Sequence, residues 1–404
     1  MTRQTDYDVI IAGGGPAGSS AAICLASHGV RVLLVEQKQF PRPKLCGEFI
    51  SPECTVHFEK LRVAEAMLAA APSHLTSTVF YSPTGRNVRV PSSWFRTNGV
   101  ALGLSRAEMD ERLLRRAAEA GAVVVENAHV ADVIFADRNV CGIVTRQGTE
   151  EFTYRGAVII DATGRSRALT RRLADKADGA HRERRAMVAF KAHFENTRLE
   201  PGTCEIYFYH RGYGGLSSIE TGLSNLCFIA SARDVRARGA NADRVMRQVV
   251  CQNRRAAFAL EHARLRSPWL AVSLEGFGRG AIAPANGLLA IGDAASFIDP
   301  FTGSGMLMAL ESGELAAETI SDYLNLSPNV RHRDDLRTAY AERYHQMFDS
   351  RLRFSSRLRR AAFVPGLAAA AIGLSGASNL IRRKLAQATR GARPETNSHP
   401  ARVK

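Results

Sequence analysis

The chain has 404 residues, of which 45% are hydrophobic and 23% charged, with a formal net charge of +15; this is a soluble globular composition with core enough for two domains or one large composite one. Seven cysteines (24, 46, 54, 141, 204, 227, 251) lie singly, with no CxxC or HxxxH pairs and no charged-then-apolar leader, which argues against a disulfide scaffold, a structural zinc site or any other metal site and predicts a reducing, cytoplasmic setting. Nine Lys or Arg and no acid lie between Arg351 and Arg390, leaving the remainder only mildly basic, which argues against a dedicated nucleic-acid binder.

In chain order, DVIIA (8–12) is the short apolar run of a buried parallel strand. GGGPAG follows and gives Gly13-x-Gly15-x-x-Gly18, then a helical SSAAICLAS with Pro16 in its first turn and Gly29 after its end. Gly13 permits the tight turn, Gly15 the approach of a pyrophosphate, and Gly18 close helix–strand packing, while the helix N-terminus offers free N–H groups. VRVLLVE is the next strand, and Glu36 at its end, eighteen residues after Gly18, is placed to accept from ribose hydroxyls. Strand, turn, helix, strand and acid in this order predict nucleotide binding without choosing between NAD and FAD.

The stretch PRPKLCGEFISPEC (41–54) sets Cys46 and Cys54 around a glycine and two acids. With metal and disulfide disfavoured by the cysteine count, Cys46 is either a redox group or a small buried residue, and Cys54 is core. Residues 104–121 form an amphipathic helix with a Ser105–Glu108 capping box and an apolar face of Met109, Leu113, Ala117 and Ala120. Arg106 in its first turn is either a solvated arginine or a phosphate contact. A buried strand, AVVVE, and a hairpin-like excursion (130–148) follow, and AVIIDATG ends another parallel strand with Thr163 and Gly164 at its carboxyl edge. From about 183 to 275 the pattern becomes short alternating strands, predicting an antiparallel layer. Most of its aromatics (Phe190, Phe194, Tyr207, Phe208, Tyr209, Tyr213) belong in a core, with one or two free to wall a pocket. GLLAIGD (287–293) is a further parallel-type strand, and DPFTGSGM opens a long helix with small residues whose N–H groups suit an electron-rich ring carbonyl or an anion. Two nucleotide loops on one sheet imply an extended cofactor, which FAD fits. From 361 to 374 an apolar run of about fourteen residues broken by Pro365 lies between basic clusters. It is too short to span a bilayer and reads either as a helical pair packed on the body or as peripheral contact with anionic lipid.

Taken together, GGGPAG with Glu36, KLCGE (44–48), SRAEMDERLL (105–114), DATG (161–164) and GDAASFIDPFTGSGM (292–306) resemble the FAD-dependent aromatic hydroxylase superfamily of p-hydroxybenzoate hydroxylase fold, and within it the geranylgeranyl reductase-like branch. The resemblance implies an α/β fold: a Rossmann-type FAD-binding parallel sheet (1–75, 100–180, 276–325), an antiparallel substrate layer (76–99, 181–275) and a helical C-terminal region (326–404). It implies that Gly13, Gly15, Pro16, Ala17, Gly18, Glu36 and the adjoining Gln37 hold the ADP half, with Arg106 near the pyrophosphate. Val130, Thr163 and Gly164 border the cofactor, Gly292 and Asp293 meet its ribityl–phosphate region, and Pro300, Gly303, Ser304, Gly305 and Met306 reach the isoalloxazine ring. The 41–54 loop then runs along the flavin edge, bringing Cys46, the one candidate catalytic residue, and Gly47 to the ring, with Arg42 and Lys44 facing phosphate or the reduced flavin.

The expected chemistry is that of an FAD oxidoreductase fed by NAD(P)H or a reductase partner and acting on a small lipophilic substrate. Hydroxylation of an aromatic or polyketide-like ring through reduced flavin and O2 comes first, because GYGGLSSIE (212–220) lacks the aromatics of a prenyl site. Reduction of an isoprenoid or quinone-tail double bond is the alternative, favoured by the Cys46-Gly47 pair and the basic–apolar tail. A non-catalytic redox sensor and a NAD-only dehydrogenase are the more distant readings.

Overall fold

A computed structural model describes residues 5–174 apart from 96 and 98, residues 187–274 and 277–362, and residues 383, 384 and 387. The basic–apolar tail expected beyond 362 otherwise lies outside the described residues.

The apolar runs form one parallel sheet in the order Val123–Val125, Val32–Val35, Thr5–Ala12, Glu150–Asp161, Leu288–Ala290. The central strands are buried on both faces, with Val9 to Ala12, Leu33, Leu34, Ile159 and Ile160 all 0% exposed, but Val123–Val125 is the edge strand with Val123 48% exposed, not the buried strand that its apolar run predicts. The first half of Glu150–Asp161 instead pairs antiparallel with Asn139–Gln147, which pairs with His129–Ala136, so the hairpin-like segment extends the same sheet. The Pro16–Ser27 and Gly305–Asn325 helices pack together on this sheet. A Cβ on Gly313 would stand 2.4 Å from the Ala17 carbonyl oxygen, so the two backbones meet at a spot only glycine allows.

The second sheet follows Arg264–Leu265, Met187–Glu195, Ser224–Ser231, Gly212–Ser218, Thr203–Tyr209, Ser77–Tyr81, Asn87–Pro91, with Leu270–Leu274 also on Met187–Glu195. Its pairs are antiparallel except one: Thr203–Tyr209 runs parallel to Ser77–Tyr81, where the early hairpin is added to the later meander. Period-2 alternation splits its faces. Phe190, Phe194, Tyr207 and Tyr209 enter a core closed by the short helices of 242–260, whereas Phe208 and Tyr213 face the other way, toward the first sheet. The Arg333–Ala362 helix follows the Gly305–Asn325 helix and packs on it. Among the described residues no helix is long and apolar enough to cross a membrane.

Candidate active site

A cavity of ≈ 660 Å³ lies between the two sheets. Its wall brings together Gly13, Gly15, Pro16, Ala17, Glu36, Gln37, Arg42, Lys44, Cys46, Gly47, Arg106, Val130, Thr163, Gly164, Gly292, Asp293, Pro300, Gly303, Gly305 and Met306. Two of the expected residues are not on it. Gly18 sits behind the turn, where a Cβ would be 1.9 Å from the Gly13 carbonyl oxygen, so it packs helix on strand rather than touching a ligand. Ser304 is 0% exposed, and its hydroxyl is turned inward to Thr302 Oγ1 at 2.8 Å.

The parallel-sheet side of the wall is polar and charged. Glu36 Oε2 accepts from the Gly14 N–H at 2.9 Å and Oε1 from the Lys38 N–H at 3.0 Å, which fixes the carboxylate beside the glycine turn. Arg106 is not a solvated arginine: it is bidentate to the 0% exposed Asp110, at 2.7 Å twice. Burial alone would lower its pKa, but Asp110, with Cys46 nearby, raises it. Arg42 stands 3.5 Å from both Glu36 and Asp110 with its guanidinium 4.5 Å above the Phe40 ring, which places it at the Glu36 end of the cavity, and its buried Nε has no hydrogen-bond partner. Lys44 is lowered to about 8, first by burial and then by Arg42, Arg106 and Arg165. Burial raises Asp293 against the pull of Arg165, Arg106 and Lys44.

Local structure also corrects two motif readings. The Ser105 side chain caps the Arg106–Glu119 helix by accepting from the Glu108 N–H at 3.2 Å, but the box is not reciprocal, because the Ser105 N–H donates to Glu220 (2.8 Å) and Glu108 pairs with Arg112. The Thr163 hydroxyl donates to Asp161 (2.6 Å) and accepts from the Ala168 N–H (2.8 Å), so it holds its own loop.

The Cys46 loop is clamped from the second sheet. Lys191 Nζ pairs with Glu48 Oε1 and donates to the Lys44 carbonyl at 3.2 Å; His193 Nε2 meets Glu48 Oε2 at 2.7 Å; Asn225 Nδ2 donates to the Cys46 carbonyl at 3.1 Å. Burial works against the Glu48 carboxylate, yet His193 and Lys191 hold it below the usual carboxylate range. Neither this clamp nor the wall residue Arg165 was legible in the motifs, since each partner lies in a different segment with no local pattern.

An extended dinucleotide fits this wall. The Pro16–Ser27 helix begins at Gly15 with no side-chain cap, leaving its first N–H groups to the cavity. A Cβ built on Gly47 or Gly164 meets no protein atom within 4 Å, so both backbones present an open face to the cavity. The cations Arg42, Lys44, Arg106 and Arg165 outnumber the wall carboxylates on this side and suit a pyrophosphate.

The profile of the FAD binding domain family matches residues 6–325. Menaquinone reductase of Mycolicibacterium smegmatis is 28% identical over 81% of this chain and 80% of its own. The digeranylgeranylglycerophospholipid reductase of Methanocella arvoryzae is 26% identical over 79% and 78%. The flavin-dependent brominase Bmp2 superposes with a TM-score of 0.78 at 22% identity over 95% of this chain and 94% of that one, a likeness of fold. With the family matched from the first strand through the helix after the second glycine loop, the chain belongs to the FAD binding domain family and is an FAD-dependent oxidoreductase.

Proposed function

We propose that the chain reduces a carbon–carbon double bond in a lipophilic isoprenoid or quinone tail, with FAD lying along the parallel-sheet side of the cavity. The observation that carries this reading is the division of charge on the wall. Every charged side chain there comes from the parallel-sheet segments, while the wall residues of the second sheet, Thr78, Phe80, Val88, Val90, Ala189, Cys204, Ile206, Phe208, Tyr213, Gly215, Ser217, Cys227, Ile229 and Leu274, include none. An uncharged apolar half suits a hydrocarbon chain and offers no counter-ion for a phenolate or carboxylate substrate. The relatives named as reductases of menaquinone and of a digeranylgeranyl lipid support the same chemistry.

In this reading the glycine turn and the helix N-terminus hold the pyrophosphate, Glu36 the ribose, and Lys44, Cys46, Gly47, Asp293 and the 300–306 loop the flavin end. Bound FAD supplies hydride, renewed by NAD(P)H or a reductase partner. The chain supplies a dry pocket and the orientation of the double bond. Such substrates reside in bilayers. Leu358 of the arginine-rich last helix is on the cavity wall, so that helix end would bring the cavity to anionic headgroups.

A second reading, oxygenation of a lipophilic aromatic ring, is favoured by the aromatic lining: Phe80, Phe95, Phe208, Phe297 and Phe301 offer faces to a flat substrate. Product mass separates the two. Incubation of FAD-loaded protein with reductant and a geranylgeranyl lipid is expected to add about 2 Da for each double bond reduced, whereas oxygen insertion into an aromatic substrate adds about 16 Da. Gain of about 16 Da without any reduced product overturns the reductase reading. Cys46→Ser is expected to keep FAD bound, because the loop is held through Glu48, Lys191 and Asn225; turnover equal to wild type would remove Cys46 from the chemistry.

A further inference from the structure

Adding hydrogen across a double bond needs a proton as well as a hydride, and the apolar half of the cavity contains few groups able to give one. Cys204 and Cys227 are there, but among the described residues neither buried thiol has a hydrogen-bonded carboxyl beside it to return a proton. Thr78 and Ser217 are ordinary alcohols. Glu48 is committed to Lys191 and His193, and Asp293 stands among the cations of the opposite wall.

Tyr213 differs. Its hydroxyl lies 2.6 Å from Asp299 Oδ1, at the short end of the O–H···O hydrogen-bond range. Both residues are buried, at 6% and 3% exposure, and the Tyr213 ring is edge-on to Phe301, 5.5 Å between centroids, in the turn that opens the second glycine loop. Asp299 Oδ1 also accepts from the Phe301 N–H at 3.0 Å, which fixes its orientation. Oδ2 has no hydrogen bond and stands 3.7 Å from Nε of Arg359, a side chain 33% exposed on the last helix. Successive contacts therefore connect the cavity-lining Tyr213 to Asp299 and Asp299 to the partly exposed Arg359. Burial raises Asp299, so this carboxyl keeps a proton more readily than a surface aspartate, and Tyr213 is raised well above 10.0 by burial and by Asp299. The other charged or titratable groups facing the pair are Cys227 on the neighbouring strand and Arg359.

We infer that Tyr213 is the catalytic acid of the reductase reading, recharged by Asp299. One alkene carbon receives hydride from the reduced FAD, and the other receives the Tyr213 phenolic proton. The carbon–carbon π bond, the phenolic O–H bond and the reduced flavin's bond to the hydride break as two C–H bonds form, and the flavin is left oxidised by two electrons. Asp299 returns its carboxyl proton to the phenolate oxygen across the 2.6 Å contact and is reprotonated from solvent on the Arg359 side. The inference rests on the reductase reading.

The test uses FAD-loaded full-length protein. Tyr213→Phe is expected to keep wild-type FAD content and KM but to lower kcat by about 10²–10⁴-fold. Wild-type kcat should fall as the pH rises and the carboxyl ionises, and Asp299→Asn should lose that limb. Infrared pH-difference spectra of the flavin-free protein give a readout apart from turnover: the carboxyl band absent in Asp299→Asn should shift in Tyr213→Phe. Reduced product from wild type with unchanged kcat in Tyr213→Phe, or a carboxyl band indifferent to that substitution, overturns the inference alone. A wild type that yields no reduced product overturns the reductase reading and the inference together.

Discussion

Lys44 is a half-buried ammonium in a cluster of like charge, and that is a linkage statement. Its pKa is lowered to about 8 from an ordinary 10.5, by burial first and by three arginines second. Between those values the unfolded chain binds more protons than the folded one, so flavin-free stability rises as pH climbs through that window. A pyrophosphate beside the cluster reverses the penalty, and loading FAD should therefore take up to one proton above pH 8. FAD affinity is expected to weaken with rising pH there, by at most about tenfold per unit, and Lys44→Met should flatten the dependence. FAD titrations followed by flavin fluorescence across that range check it; an equal slope in the variant removes Lys44 from the linkage. The glycine fingerprint and Glu36 were legible because their geometry is local. Ser304 and Thr163 were read as ligand contacts because a sequence does not tell which way a hydroxyl turns, and here each turns into its own loop.

At the scale of elements, the Cys46 loop is placed by residues far from it. Glu48 has a left-handed backbone (φ 54) and is 0% exposed, and its carboxylate gathers Lys191, His193 and the Arg106 N–H. Removing it leaves Lys191, 2% exposed, with a buried uncompensated charge. Glu48→Ala should lower stability by about 3–5 kcal/mol, seen as a lower denaturant midpoint with an unchanged slope. Because Glu48 is held below its ordinary 4.5, the contribution is complete above that pH and is lost as pH falls through the lower folded value. A variant as stable as wild type at neutral pH would show the clamp to be neutral. In sequence, KLCGE displayed Glu48 only as an acid after a glycine. Its partners lie 143 and 145 residues on, in strands whose alternation fixes their face but not their contacts. The parallel strands were legible for the opposite reason, since burial on both faces leaves an unbroken apolar run.

At the largest scale the two main sheets of the described residues face a shared cavity, cationic on the parallel side and uncharged on the other. Continuous versus alternating hydrophobicity made the two layers legible. The parallel pairing of Thr203–Tyr209 with Ser77–Tyr81 was not, because it joins segments more than a hundred residues apart with no turn to set their register. The cation cluster has a consequence for the fold as a unit. Without cofactor, Arg42, Lys44, Arg106 and Arg165 repel one another across the cavity, a repulsion that Glu36, Asp110 and Asp293 offset in part. Salt screens that repulsion, and a bound pyrophosphate neutralises it. The flavin-free protein should therefore gain Tm as salt is raised from low to about physiological ionic strength. The FAD-loaded protein should start higher, by about 2.7 kcal/mol at a hundredfold excess over Kd, and respond less to salt. Calorimetric scans of both forms across a salt series test this; parallel salt responses would mean that the cluster is not the source of strain and that FAD stabilises through its apolar contacts alone.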